Sequence, residues 1–298
     1  MMATTNGTNG IAKDWRGKNK TIQILNAAEE GGYGVIAAIV YNIEQIIGMV
    51  KAAERKRSPL IIQVFPWAIT FSNGLLVHAA AQAARTASVP VAIHLDHAQD
   101  EDMIRLAADT LPFDSIMVDM SHHEKEENLQ KTKELVAYCH ARGISTEAEP
   151  GRIEGGEDGI ADTADLEGLL TTAEDIEDFL ATGVDFLAPS FGNVHGEYGK
   201  RGPQLDYARL DDIRTAINKR VRIVLHGTND FPEDIMKRCI SQGVSKVNVN
   251  KLVLDDYLVH LEGNASKLSL TKLMEEGVEH VIKLMEWQMD VCGSTGKA

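Results

Sequence analysis

The chain has very little cysteine: three residues in 298, at positions 139, 239 and 292, far apart and without a CxxC pair. An odd, scattered set of thiols argues against a disulfide framework or a structural zinc held by thiolates. It reads as reduced cysteine in a reducing compartment, with the cytosol as the default location. No apolar run reaches the roughly 18 residues needed to span a bilayer. The opening MMATTNGTNG lacks the apolar centre of a signal peptide. Positive charge is scarce as well. A formal net charge of -14 argues against nucleic acid or an anionic membrane surface as partner, so any anionic ligand must be met by local positive charge.

Hydrophobic residues make up 44% and charged residues 25%, enough apolar material for a large soluble core. Eight stretches rich in Val, Ile and Leu recur, each followed by a helical pattern: 33–41, 59–64, 89–95, 114–119, 143–149, 184–189, 221–226 and 244–249. Eight alternating strand and helix units predict a single-domain α/β fold, a (β/α)8 TIM barrel over residues 20–298 with a C-terminal helical extension from about 268 to 291. Residues 1–19, rich in Thr, Asn and Gly, read as a flexible leader, and the final GSTGKA as a flexible end. The helices are expected at 43–57, 73–87, 99–110, 122–142, 172–182, 208–219 and 232–242. Capping boxes are expected at Ser121 with Glu124 and at Thr171 with Glu174. Two long connections, 150–171 and 190–207, break the spacing and read as ligand loops or lids.

Polar residues stand at or just past nearly every strand end: Asn42, Gln63, Asp96 with His97, Asp119, Glu149, His195, His226 and Asn248. In such barrels the active site is built at the carboxyl ends of the strands. His97, His195 and His226 form the sharpest set, because three neutral imidazoles converging on one point leave a fourth coordination position open, the pattern of a catalytic zinc. Any one of them alone reads more simply as a packed or solvated histidine, the reading kept for His78, His140, His260 and His280 in helical segments and for His122 and His123 at a helix start. His94 lies two residues before Asp96 on the same strand face, which suits packing or support of a neighbour. Asp96 itself fits an acid/base role or the orientation of His94 or His97. Glu157, beside Glu154 and Asp158, fits a mobile catalytic carboxylate or a solvated charge.

Residues 91–97 (VAIHLDH), 116–121 (IMVDMS), 147–158 (EAEPGRIEGGED), 195–198 (HGEY), 224–227 (VLHG), 245–249 (SKVNV) and the terminal GSTGKA together resemble the class II, metal-dependent fructose-bisphosphate and tagatose-bisphosphate aldolases. The resemblance implies a zinc ion held by His97, His195 and His226, with Asp119 and Glu149 as alternate ligands, and a monovalent cation, sodium or potassium. It implies Asp96 as the acid/base on the hydroxyl, Glu157 as the carboxylate that moves a proton on the nucleophilic carbon, and Asn248 at the enediolate. Substrate contacts are implied for Asn42, Gln63, Gly196, Lys200, Gly227, Thr228, Asn229, Lys246, Asn250 and Lys251. The implied partner is a small-molecule sugar phosphate, and the implied assembly a homodimer or homotetramer.

The chain departs from the family pattern at both phosphate ends. Gly227-Thr228-Asn229-Asp230 replaces a Gly-Gly-Ser run, and Asn250-Lys251-Leu252 replaces Asp-Thr-Asp. Phe65 and Trp67 stand where small polar residues are expected, and 262–268 lacks an arginine, with Lys267 the nearest cation. The expected activity is zinc-dependent cleavage of a ketose phosphate, fructose 1,6-bisphosphate by default. The alternative within the family is a different, unphosphorylated aldehyde half. Two rivals from other classes are a Schiff base through Lys246, which leaves three histidines unexplained, and a barrel that binds a sugar phosphate without turning it over.

Overall fold

The computed structural model describes residues 14–156, 166–229 and 231–298. A helix, α1 (Lys20–Gly31), leads into β1 (Val35–Ile39), α2 (Ile43–Lys56), β2 (Leu60–Val64), α3 (Pro66–Ser72), α4 (Leu75–Thr86) and β3 (Val91–Ala98). Next come α5 (Glu101–Thr110), β4 (Ser115–Val118), α6 (Lys125–His140), β5 (Ser145–Ala148), the short β6 (Glu154–Gly155), α7 (Ala173–Leu180), β7 (Phe186–Leu187) and the short β8 (Val194–His195). The chain ends with α8 (Tyr207–Ile217), β9 (Arg222–Leu225), α9 (Glu233–Ser241), β10 (Val244–Val249), α10 (Lys251–Asn264) and α11 (Leu270–Cys292). Eight parallel strands close in the order β1-β10-β9-β7-β5-β4-β3-β2, the TIM barrel expected from the eight apolar runs.

The period of two along each strand sorts side chains between two cores. Outward residues such as Ile36, Ala38, Ile62, Val64 and Ile93 pack against the helices. Inward residues Val35, Ala37, Ile61, Ala92, Phe186 and Val224 fill the lower interior, where Ile24, Leu25 and Ala28 of α1 close the barrel from below. Above that apolar floor the inward positions become polar, with Gln63, His94, Glu147, Lys246 and Asn248 all buried. Among the described residues no helix is long and apolar enough to cross a membrane.

Several local expectations are corrected. Residues 14–19 do not behave as a free leader: Arg16 pairs with Asp185, and buried Asn19 caps α1 while its amide donates to the Asp114 and Gly143 carbonyls. Helix 73–87 is preceded by a separate turn of helix, α3, because Asn73 (φ 50°) and Gly74 (φ 79°) enter the left-handed region and stop it. Helices α1 and α10 were not foreseen. The capping box sits one residue later than expected, on Thr172 and Asp175, because the Thr171 hydroxyl is engaged by the Pro150 carbonyl and the Ser190 amide. The Ser121 hydroxyl turns back to Asp119, and Glu124 occupies the cap position of α6 without a side-chain bond. The two long connections meet each other, since β6 pairs in parallel with β8.

The C-terminal GSTGKA is also anchored. Gly296 and Ala298 donate backbone N–H groups to the Lys56 and Arg57 carbonyls at the end of α2, where a helix leaves acceptors free. The buried Ser58 hydroxyl donates to that of Ser294 at 2.8 Å. A buried hydrogen-bonding group left without its partner costs about 1–3 kcal/mol. Deleting residues 294–298 is therefore expected to lower the free energy of unfolding by at least about 1 kcal/mol, read from the chemical denaturation midpoint. An unchanged midpoint would show that the tail contributes nothing to α2.

Candidate metal centre

Successive residues in a regular strand face opposite ways, so Asp96 and His97 cannot both point into the barrel from an undistorted β3. The register between β3 and β4 shifts between Leu95 and Ala98, and His97 takes φ 47°. This bulge, with a non-glycine residue in the left-handed region, costs about 1–3 kcal/mol and turns both side chains inward. His226 extends one residue past β9, and His195 arrives on β8 from the long 190–207 connection. Gly227, at φ 68°, allows close approach there, since a Cβ on it would lie 2.3 Å from the Val194 carbonyl oxygen.

The three imidazoles meet. His97 Nε2 lies 3.0 Å from His226 Nδ1, and His195 Nε2 lies 3.3 Å from the same atom. Nitrogens bound tetrahedrally at zinc–nitrogen distances of about 2.0–2.1 Å stand roughly 3.3 Å apart, so the spacing suits one ion. The far nitrogens explain why the inner ones face one another. His97 Nδ1 is held at 2.7 Å by Asp119, and His226 Nε2 at 2.9 Å by Glu147. Each carboxylate binds the outer nitrogen and so aims the inner one at a common point. Burial would lower His97, but Asp96, Asp119 and Glu149 raise it to about 10, so its inner nitrogen carries a proton that a bound cation would displace. Burial, then the neighbouring His97 and His226, hold His195 well below the usual histidine range, so it offers a lone pair. A cation is what this donor set lacks.

A second set of donors lies beneath. His97, Asp119 and Glu149 can also group around an ion. Burial would raise the Asp119 carboxyl, but the bond and charge of His97 together with the two bonds from Ser121 outweigh it and hold it at about 2. Burial, then the Asp119 charge, pushes Glu149 up to about 8, and its Oε2 has no partner among the described residues.

Asp96 is clamped. Asn248 Nδ2 donates to its Oδ2 at 3.0 Å and Gln63 Nε2 at 3.2 Å, while the amide oxygens of both, Gln63 Oε1 and Asn248 Oδ1, have no partner among the described residues. Burial disfavours the ionised carboxylate, but the charges of His97 and Lys246 hold its pKa well below the usual range. Lys246 does not reach out toward a phosphate. Its side chain is fully buried, with Nζ 2.8 Å from Glu147 Oε2 and 4.0 Å from Asp96, which also leaves it poorly placed as a Schiff-base nucleophile. Glu147, its partner, was not singled out from the sequence. The signal was present in the EAE triplet, whose first and third residues share a strand face. Burial would raise Glu147, but Lys246 holds it at about 2.

The mouth is lined by Asp96, the three histidines, Gly227, Thr228, Asn229, Asn248, Asn250 and Lys251, among others. Both polar side-chain atoms of buried Asn229 lack a partner among the described residues. Asn42 is drawn away: it caps α2 and donates to Tyr257. Gly196 follows His195 at φ 87°, whereas Lys200 is exposed on a turn outside this mouth. Glu157 lies outside the described residues.

Losing a carboxylate that orients a ligating histidine typically weakens metal binding 10- to 100-fold. Glu147→Ala is expected to do so here, measured by competition with a chelator, with Glu147→Gln, which keeps an acceptor, falling between. Lys246→Met leaves a buried carboxylate unpaired and is expected to cost about 3–5 kcal/mol of stability. Wild-type metal affinity in Glu147→Ala would remove Glu147 from this role.

Residues 19–297 match the family model described as fructose-bisphosphate aldolase class-II. A Coccidioides immitis structure, provisionally named a fructose-1,6-bisphosphate aldolase, superposes with a TM-score of 0.93 at 54% identity, covering 94% of this chain and 98% of that one. The fructose-bisphosphate aldolase of Streptococcus pyogenes serotype M1 is 36% identical over 93% of this chain and 98% of its own length. The YdjI aldolase of Escherichia coli K12 superposes with a TM-score of 0.79 at 28% identity, covering 93% and 97% of the two chains. With a continuous match of this extent on a barrel whose strand ends bring three histidines and their carboxylates together, the chain belongs to the class II fructose-bisphosphate aldolase family.

Proposed function

We propose that the protein is a zinc-dependent aldolase that cleaves a ketose phosphate, with fructose 1,6-bisphosphate, giving dihydroxyacetone phosphate and glyceraldehyde 3-phosphate, as its first substrate. The observation that carries this reading is the meeting, at one barrel mouth, of three buried imidazoles whose inner nitrogens converge with a clamped, ionised carboxylate beside them. The 36% identical fructose-bisphosphate aldolase of Streptococcus pyogenes supports the substrate. A donor set of three imidazole nitrogens with no thiolate suits zinc. Zinc supplies Lewis acidity that stabilises negative charge on the ketone half as the carbon–carbon bond breaks.

The chain's own residues do the rest. Asp96 accepts the proton of the hydroxyl whose carbon becomes the aldehyde, and Gln63 and Asn248 keep its oxygens aimed. Glu157 is assigned proton transfer at the nucleophilic carbon, from its place in a run rich in glycine that suits a closing loop. The phosphate of the ketone half is placed against Gly227, Thr228 and the unpartnered amide of Asn229, beside the N-terminus of the 14-residue α10, whose dipole favours an anion. Three buried free cysteines accord with a cytosolic setting, and the family with a homodimer or homotetramer.

Chelation is expected to abolish turnover, and zinc or cobalt to restore it. Turnover that survives full chelation, with covalent trapping by borohydride and substrate, would replace this reading with a Schiff base. Asp96→Ala is expected to retain bound metal and lose about 10²–10⁴ in rate, the scale of a general base. Near-normal kcat in that variant would take Asp96 out of the proton transfer. Glu157→Ala should slow solvent deuterium exchange into dihydroxyacetone phosphate more than it weakens binding, and unchanged exchange would return Glu157 to the role of a solvated charge.

A further inference from the structure

A continuous run of aromatic rings leads outward from the candidate metal centre along the β1 and β2 side of the mouth. Phe65, buried just past β2, has its ring centroid 6.2 Å from that of His97. Tyr41, half-buried past β1, lies 6.4 Å from Phe65 edge-on and 5.9 Å from Trp67. Trp67 then stacks on Phe71, with centroids 4.7 Å apart and planes 12° from parallel. The outer two rings are open to solvent, Trp67 at 38% and Phe71 at 74% exposure. Large exposed aromatics cost free energy in water and mark contact surfaces more often than chance when they adjoin a site.

The two sides of the mouth differ in chemistry. On the β9 and β10 side stand Thr228, Asn229, Asn248, Asn250 and Lys251, a polar set with one cation. On the β1 and β2 side the rings offer little to an anion. Phenylalanine has no donor, an indole has one, and the Tyr41 hydroxyl donates to Asn250 Oδ1 at 2.8 Å. Pro66 at the first position of α3 removes a backbone N–H that would otherwise be free there. A phosphate set against this wall would lose water without gaining charge-assisted bonds, whereas an apolar or C–H face would gain burial.

We propose that Tyr41, Phe65, Trp67 and Phe71 form the subsite for the aldehyde half of the substrate, and that this half is taken best when it is uncharged and presents an apolar face. The proposal rests on the aldolase reading above but departs from its default aldehyde: glyceraldehyde 3-phosphate is a substrate, not the preferred one. In the condensation direction a C–H bond of dihydroxyacetone phosphate breaks and its proton passes to the base of the aldolase reading. The carbon then forms a bond to the aldehyde carbon as the carbonyl double bond opens, and the aldehyde oxygen takes one proton from solvent relayed through Asp96, so the proton released and the proton gained balance without a co-reactant.

The test uses the zinc-loaded full chain. Deuterium exchange into dihydroxyacetone phosphate is measured first, because it reports on the ketone half alone. Condensation kcat/KM is then compared for phenylacetaldehyde, butanal, glyceraldehyde and glyceraldehyde 3-phosphate. The expected result is kcat/KM for phenylacetaldehyde or butanal at least equal to that for glyceraldehyde 3-phosphate. Trp67→Ala and Phe71→Ala should each lower the ratio of phenylacetaldehyde to glyceraldehyde 3-phosphate by tenfold or more, with Trp67→Phe restoring most of it. Exchange with a thousandfold preference for glyceraldehyde 3-phosphate would overturn this proposal and leave the aldolase reading intact. Absence of exchange would overturn both. Variants that alter the assembly mass in solution while leaving the aldehyde ratio unchanged would assign the rings to contact with a second copy of the chain and overturn the subsite.

Discussion

The ion pair between Lys246 and Glu147 is the contact on which the polar half of the barrel depends. Both side chains are fully buried, and an isolated charge at such depth would cost several kcal/mol. At 2.8 Å each satisfies the other, and the remaining carboxylate oxygen of Glu147 is free to hold His226 at 2.9 Å. The ammonium also lies 4.0 Å from Asp96, so one internal cation steadies two carboxylates that serve different neighbours. His94, Asp96 and Glu147 have their ligand atoms close enough to hold an ion of their own, and Lys246 supplies the positive charge there.

That arrangement constrains what sits above it. With His226 fixed through Nε2 and His97 through Nδ1, the inner nitrogens face one another at 3.0 Å, where a single proton or a cation can be shared between them. The strain stored at His97 follows from the same need, because only a distorted β3 presents adjacent residues to one centre. The third imidazole is supplied differently. His195 comes from a long connection whose β8 pairs with β6, so Gly155 in the 150–171 segment stands in register with the histidine.

The helical shell serves the site indirectly. α1 seals the lower end with Ile24, Leu25 and Ala28, leaving the upper end as the open mouth. Asn42 shows how a strand-end polar residue is diverted to structure: it caps α2 and reaches Tyr257 on α10. The same α10 presents its N-terminus to the mouth, so the cap of one helix and the start of another are tied together beside the candidate phosphate position.

Much of this was legible from residue order. Stretches rich in Val, Ile and Leu, each followed by a helical pattern, marked all eight barrel strands to within a few residues, because a parallel strand buried on both faces is apolar along most of its length. The polar residues ending those runs named most of the side chains that meet at the mouth. What local patterns cannot encode is which inward residues touch across the barrel. Glu147 and Lys246 are 99 positions apart and pair only because closure brings β5 and β10 to opposite walls of one interior. Lys246 therefore read as an inward-pointing charge near a phosphate, without its partner, and Glu147 went unnoticed. Gln63 and Asn248 read as substrate ligands, and that closure also brings the amide of each onto Asp96 was not legible from their positions. The capping box slipped by one residue because Thr171 had a tertiary partner in Pro150. Sequence alone determined the elements, their faces and the residue types available for chemistry. Tertiary closure decided their partners, because burial and distance, not order along the chain, set which charges must neutralise one another.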